Sequence, residues 1–287
     1  DLGIITNISY AHSKNFRSIK LIAAAKAEII NNIKSGGSVV LNMDDNFYKY
    51  HKNLALKKKL KVISFGIKNK SAMTKLIKIK KIKNKYELLI KINGSSLAIY
   101  SQNDNQNHLY NILATLAVVN LFADIKKLNK DFFLNFKTPI GRGDISKVKL
   151  KNKEIFLVDE SYNSNPLSLK TAIENYDKIK LKDSKKYLIL GDMLELGKHS
   201  IKQHKLISKI LNKTKISQVY VVGKYIKETF KGLKPNKKAK ILNNKFSIID
   251  LINKDLNNND YLMIKGSNST GLNKIITNLK QRNSHAI

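Results

Sequence analysis

The chain contains no cysteine and no tryptophan, and only three prolines in 287 residues. Without thiols, disulfide staples and thiolate chemistry are excluded, and a reducing cytoplasm is the natural setting. No apolar run approaches the roughly 20 residues that cross a bilayer, so no membrane insertion is expected. The opening stretch, Asp1-Leu2-Gly3-Ile4-Ile5, has neither the basic segment nor the cleavage pattern of a signal peptide. It reads as the interior of a strand, and there is no initiator methionine, so a fragment missing its N-terminal part is expected. Acids are scarce as well: 21 Asp and Glu stand against 54 Lys and Arg, a formal net charge of +33. Such an imbalance ordinarily suggests nucleic acid. Yet arginine, the residue that forks onto phosphate and guanine, occurs only at Arg17, Arg142 and Arg282, and the lysines are spread along the whole chain. The excess reads as solvated surface, with a lysine-rich nucleic-acid-binding module as the alternative from another class.

What is present is alternation. The length suits two domains, each with a core, and apolar runs of strand length alternate with segments of helical period. Gly3 to Asn7 reads as a buried strand; Ser18 can cap a helix to about Lys34. On a wheel, Ile19, Ile22, Ile29 and Ile33 share roughly an 80° arc, and Lys26 falls inside it. A lysine on an apolar stripe is paired, neutralised or modified, unless its stem merely snorkels. Strands follow at Val39–Asn42 and Lys61–Phe65. From Thr74 to Tyr100 strict alternation predicts an antiparallel appendage turning at Asn84-Lys85 and Asn93-Gly94. Helices are expected over Asn105–Ala123 and near Lys130–Asn135.

Pro139 to Gly143 punctuates the chain as a hinge between residues 1–138 and 139–287. Beyond it, strands ending near Asp159, Gly191, Gly223, Leu242 and Lys265 precede helical segments at Leu167–Tyr176, Ile201–Leu211, Lys224–Phe230, Phe246–Leu256 and Gly271–Leu279. The fold class is therefore α/β. In parallel sheets of this kind ligands gather at the carboxyl ends of the strands. The most informative such end is Asp159-Glu160-Ser161-Tyr162-Asn163-Ser164-Asn165, followed by Pro166. It presents two carboxylates and three short polar side chains at a helix N-terminus; Asp159 and Asn165 could equally do no more than cap and shape the loop. No Gly-x4-Gly-Lys-Ser/Thr loop, no Gly-x-Gly-x-x-Gly fingerprint and no His-Glu-x-x-His helix is present. Gly191 to His199 imitates the first, but its second glycine comes one position late. Among the histidines only His199 and His204 are near in sequence, and at five residues apart they would splay on a helix.

Taken together, Ile5-Thr6-Asn7-Ile8-Ser9-Tyr10-Ala11-His12, Ala24-Ala25-Lys26-Ala27-Glu28-Ile29 and Asn42-Met43-Asp44-Asp45 resemble the middle domain of the Mur ligases. Asp159 to Pro166, Leu190 to Gly197 and Lys265-Gly266-Ser267 extend the resemblance over essentially the whole chain. They are similar to the strings of those ligases that attach a D-alanyl-D-alanine dipeptide. The resemblance implies a partial central ATPase domain followed by a Rossmann-like C-terminal domain. It implies a cytoplasmic, ATP-dependent, ADP-forming peptide ligase of peptidoglycan precursor synthesis. Its partners would be UDP-N-acetylmuramoyl-tripeptide and D-alanyl-D-alanine, with no nucleic acid, and a monomer is expected. A sister ligase adding another amino acid, or glutamate to folate, is the nearest alternative.

Residue by residue, the resemblance makes His12 a magnesium ligand and Lys26 a lysine carbamylated by carbon dioxide, an anion able to hold Mg2+ through oxygen. These two are the expected catalytic and metal residues. Asn111, Arg142, Asp159, Glu160, Tyr162 and Asn163 match positions facing ATP, Glu160 at the ribose with Asp159 as its alternative. Asn163, Asn165, Lys265 and Ser267 match positions facing the dipeptide. Two departures stand out. Asn107-His108 replaces the family's usual His-Asn order, and the P-loop and precursor-binding regions of the family have no counterpart here. The chemistry implied passes through an acyl phosphate on the tripeptide carboxylate, shielded from water by a clamp hinged near Gly141.

Overall fold

The computed structural model describes residues 1–10, 13–136, 139–150, 153–244 and 247–281. The chain folds as two compact units, one of Asp1–Ser9 and Phe16–Lys137, the other of Tyr10–Asn15 and Thr138–Ile287.

The first unit runs β1 (Leu2–Ile5), α1 (Ile19–Asn32), β2 (Ser38–Asn42), α2 (Tyr48–Lys57), β3 (Lys61–Gly66), β4 (Thr74–Ile82), β5 (Lys85–Ile92), β6 (Ser95–Ser101) and α3 (Gln106–Val119). Its sheet has the order β1-β2-β3-β4-β5-β6. Pairing is parallel from β1 to β4 and antiparallel from β4 to β6. Ser18 caps α1, accepting from the Leu21 amide. The helix buries Ile22, Ala23, Ala27 and Ile30, while Ile29 is exposed. The core lies between the sheet and α3, with Leu88, Ile90 and Ile99 from the strands against Ile112, Leu113 and Leu116. The β5–β6 turn places both Asn93 and Gly94 at positive φ, as a two-residue hairpin requires. The β4–β5 turn falls on Lys83-Asn84, one residue earlier than expected. No helix forms near Lys130–Asn135; hydrogen-bonded turns occupy that stretch, pinned by the Tyr100 amide to the Lys130 carbonyl. Two successive phenylalanines facing one small cluster suit turns as well as a helix, and periodicity could not separate them.

The second unit runs β7 (Asp144–Leu150), β8 (Lys153–Asp159), α4 (Pro166–Lys178), β9 (Lys186–Gly191), α5 (Ser200–Leu211), β10 (Gln218–Val222), α6 (Lys227–Lys231), β11 (Lys238–Leu242), α7 (Ser247–Asp255), β12 (Tyr261–Lys265) and α8 (Leu272–Gln281). The order β11-β10-β9-β12-β8-β7 is parallel except for β7, which runs antiparallel along β8 at the edge. Alternation along β9 sends Tyr187 and Ile189 to the side of α7 and α8, and Leu188 and Leu190 to the side of α4 and α5. Strands covered on both faces read as continuous apolar runs, which is why they were visible in sequence. Strand β7 was not: among its described side chains Val148 is the one buried apolar group, while Ile145 and Lys147 face solvent. The helix expected from Lys224 begins only at Lys227, because the amides of Lys224, Tyr225 and Ile226 are turned onto Asp192.

Candidate functional site

In the first unit, the carboxyl ends of β1 and β2 carry the relevant groups. Asn42 Nδ2 donates to the Thr6 carbonyl at 2.9 Å, and Asp45 Oδ2 accepts from the Ile8 amide at 2.8 Å. These bonds fix the Thr6-Asn7-Ile8 backbone. Lys26 Nζ then donates to the Asn7 carbonyl at 2.9 Å. The residue as a whole is exposed, so the buried lysine expected from the wheel is not found. It stands exposed, with its ammonium held on the Asn7 carbonyl. Desolvation pushes that ammonium below its ordinary value, against the pull of the Asp45 carboxylate. His12 lies outside the described residues. Among the described residues no group of three or more His, Cys, Asp or Glu is placed to hold a metal.

Asp44, beside this site, is a loop clamp. It accepts from the amides of Ile67, Lys68 and Asn69 and from Tyr110 Oη, at 2.6, 2.9, 2.7 and 2.9 Å. Burial acts to raise its pKa, but the donors of Lys68, Ile67, Tyr110 and Asn69 outweigh it and hold the carboxyl low. The Tyr110 hydroxyl is pushed well above its usual value by burial and by the same carboxylate. Asn111, one residue on, is exposed on α3. His108 Nε2 is buried without a hydrogen-bond partner, and burial lowers its pKa.

In the second unit the carboxyl ends of β8, β12 and β9 are adjacent, so their loops meet. Lys265, buried at the end of β12, donates to the Glu160 carboxylate at 3.2 Å and to the Asn163 carbonyl at 2.9 Å. Desolvation pushes Lys265 down and Glu160 up, each opposed by the other's charge. Ser267 Oγ accepts from the Leu194 amide at 2.8 Å and donates to the Ser164 carbonyl at 3.2 Å, joining all three loops. The geometry of the preceding turn depends on glycine. Gly141 has φ +82°, and a Cβ there would lie 2.8 Å from the Tyr162 nitrogen. The close approach lets Tyr162 N donate to the Gly141 carbonyl at 3.1 Å. It also sets the Arg142 guanidinium 4.4 Å from the centre of the Tyr162 ring, with Arg142, Tyr162 and Asn163 all exposed.

The structure thus brings Arg142, Glu160, Tyr162, Asn163, Lys265 and Ser267 together. It gives structural work to two other expected residues. Asp159 is buried and accepts from Ser161 Oγ at 2.7 Å and Lys280 Nζ at 3.0 Å. Asn165 closes a capping box with Ser168 at the start of α4, taking up its side chain. Sequence reasoning missed Lys280, which also binds Asp144 at 2.6 Å; a lysine in a lysine-rich chain carries no signal. It also missed the role of His204. That ring is fully buried, accepts from the Met193 amide at Nε2 (2.9 Å) and faces the Ser200 carbonyl with Nδ1 (2.8 Å). Those partners fix the neutral tautomer protonated at Nδ1. Its spacing of five from His199 argued against a metal pair but gave no other role; in the structure it locks the loop after β9. Asp192, in that loop, accepts from three successive amides of residues 224 to 226 at 2.9, 2.9 and 2.7 Å.

Residues 1–119 match the model of the Mur ligase middle domain, and residues 146–268 that of the Mur ligase, glutamate ligase domain. The chain is similar to the UDP-N-acetylmuramoyl-tripeptide--D-alanyl-D-alanine ligases of Rickettsia prowazekii and Buchnera aphidicola. It is 29% identical to the former, over 96% of this chain and 60% of that one. With the latter it shares 28%, over 97% and 58%. The chain therefore spans about three fifths of the length of these curated relatives. Its fold resembles MurF from Acinetobacter baumannii, with a TM-score of 0.80 at 18% identity over 98% of this chain and 59% of that one. It also resembles the MurF ligase of Thermotoga maritima in complex with ADP, with a TM-score of 0.76 at 22% identity over 98% and 62%. No helix among the described residues is long and apolar enough to cross a membrane.

Proposed function

The chain belongs to the Mur ligase family, and from that premise we propose that its protein is the cytoplasmic ligase joining D-alanyl-D-alanine to UDP-N-acetylmuramoyl-tripeptide. ATP phosphorylates the tripeptide carboxylate, the dipeptide amine attacks the acyl phosphate, and ADP and phosphate leave. The observation that carries this reading is the junction of the Asp159–Asn165, Gly191–Gly197 and Lys265–Ser267 loops through Ser267 Oγ. The same strings whose resemblance pointed to a dipeptide-adding ligase are the ones packed into one edge of the sheet.

The residues have distinct work in that reaction. Arg142, exposed and steadied by the Tyr162 ring, offers a planar donor fork to phosphate. Lys265 adds a second cation nearby, held by Glu160, so negative charge entering the site meets preorganised positive charge. Glu160 and the exposed Asn163 and Tyr162 side chains supply polar contacts to nucleotide and dipeptide. Lys26 fits carbamylation, since desolvation favours the neutral amine that reacts with carbon dioxide. As a carbamate, with His12, it would hold magnesium. Bound magnesium neutralises phosphate charge during in-line transfer.

The test is phosphate release by the longest open reading frame containing this chain, supplied with ATP, tripeptide precursor and D-alanyl-D-alanine; this chain by itself, without a P-loop, is expected to be inactive. Release that requires all three is expected. Release that persists without the dipeptide, or that a single amino acid supports equally, would sink the assignment and favour a sister ligase.

A further inference from the structure

The outer face of the antiparallel appendage has a character that the proposed ligase reaction does not use. Alternation in β5 buries Leu88, Ile90 and Ile92 toward the core, so Lys85, Glu87, Leu89 and Lys91 point the other way. Register places Lys75 opposite Lys91, Lys78 opposite Leu89 and Lys80 opposite Glu87, and continues to Ser96, Ala98 and Tyr100 on β6. One face therefore carries Lys75, Lys78, Lys80, Lys85 and Lys91 around Leu89, Ala98 and Tyr100. Glu87 is the lone acid among those strands' residues. Lys78, Lys80 and Lys91 are exposed, and Ile77, at the register shift in β4, is 44% exposed beside them. Lys85 lies over the Tyr100 ring at 3.4 Å and pairs with Asp131 at 3.6 Å. Beyond the hairpin tip, a cavity of about 440 Å³ is lined by Ile82, Lys83, Lys85, Gln102, Leu134 and Asn135, among others.

We propose that this face is a peripheral docking surface for a bilayer with anionic headgroups. Charge complementarity carries the choice: lysines clustered on one sheet face present mobile point charges, which suit a diffuse anionic surface rather than the planar fork of base or phosphate readout. Ile77 and Leu89 supply apolar area for the headgroup boundary. Single-stranded nucleic acid is the poorer fit. It needs successive aromatic platforms, and this face has one ring, already covered by Lys85. The cavity at the tip sets Lys83 and Lys85 beside the apolar Ile82 and Leu134, a mixed lining that suits a headgroup at the edge of the acyl region. The inference does not rest on the ligase assignment.

The full chain is to be sedimented with vesicles of phosphatidylcholine alone and of phosphatidylcholine with phosphatidylglycerol. Binding to the anionic vesicles only, weakened by salt, is expected. Each surface lysine contributes about fivefold in partitioning, so Lys78→Glu/Lys80→Glu/Lys91→Glu should lower it at least about 100-fold. The control Lys202→Glu/Lys205→Glu/Lys209→Glu, on exposed positions of α5 and with the same net charge, should retain most of it. If the first variant misfolds by circular dichroism, Lys80→Gln/Lys91→Gln and Ile77→Ser serve in its place, each expected to weaken binding without loss of structure. Equal losses in both lysine sets would assign any binding to net charge and overturn the proposal. So would equal binding to both kinds of vesicle, or displacement from anionic vesicles by tighter-bound single-stranded RNA.

Discussion

Lys265 and Glu160 form an ion pair at 3.2 Å across the ends of two neighbouring parallel strands, and the lysine side chain is only 3% exposed. Desolvation works against both charges, so each depends on the other. Lys265→Met strands a carboxylate and frees the Asn163 carbonyl. It should cost about 3 kcal/mol, read as a lowered urea midpoint. Lys265→Met combined with Glu160→Leu should recover part of that loss, since apolar replacement of both partners leaves no buried charge. A double variant less stable than the single one would refute the dependence.

Gly223 is expected to tolerate no side chain. A Cβ there would lie 2.6 Å from the Asp192 carboxyl carbon, and its φ is +137°. Gly223→Ala should destabilise by at least about 2 kcal/mol, because both strain and displacement of a three-fold acceptor are involved. Gly36→Ala is the contrast: φ is +81° but no atom lies within 4 Å, so only backbone strain of about 1 kcal/mol applies. Thermal melting of the two variants separates them.

His204 should make stability depend on pH. Burial lowers its folded-state pKa below 6.5, against the pull of Ser200 and Asp192. The unfolded chain thus binds the proton more readily. The stabilisation is fully present above pH 6.5 and is lost as pH falls from there toward the folded pKa. His204→Gln should cost about 1–3 kcal/mol at neutral pH by leaving the Met193 amide poorly satisfied. The difference between wild type and variant should shrink between about pH 7 and pH 5. A difference that grows on acidification would contradict the neutral tautomer.

Lys26 should carry a carbamate. In bicarbonate labelled with carbon-13, the chain is expected to show a carbamate resonance that Lys26→Arg lacks, with unchanged melting because the residue is exposed. Loss of phosphate release in the ligase assay should accompany loss of that resonance. A resonance persisting in Lys26→Arg would assign the modification elsewhere.

Much of the molecule is legible in its amino-acid order. Ser18 and Asn165 announced the starts of α1 and α4 because capping is chemistry within three residues. The buried strands announced themselves because both faces are apolar. Strand β7 stayed silent because an edge strand with so little buried apolar surface has no pattern to show. Lys26 illustrates a partial reading: its angle on the wheel was right, but the residue stands exposed, with its ammonium held on the Asn7 carbonyl.

The sequence alone determined the alternation of strands and helices, the caps, the antiparallel hairpins and the strings by which the family is recognised. These follow from periodicity and from bonds reaching only a few residues. Tertiary structure alone decided which polar groups meet. Lys265 finds the Glu160 carboxylate 105 residues earlier, and Lys280 finds Asp159 121 residues earlier. Those pairings depend on which strands end side by side, and sheet order is set by packing of the whole unit rather than by any local run of residues.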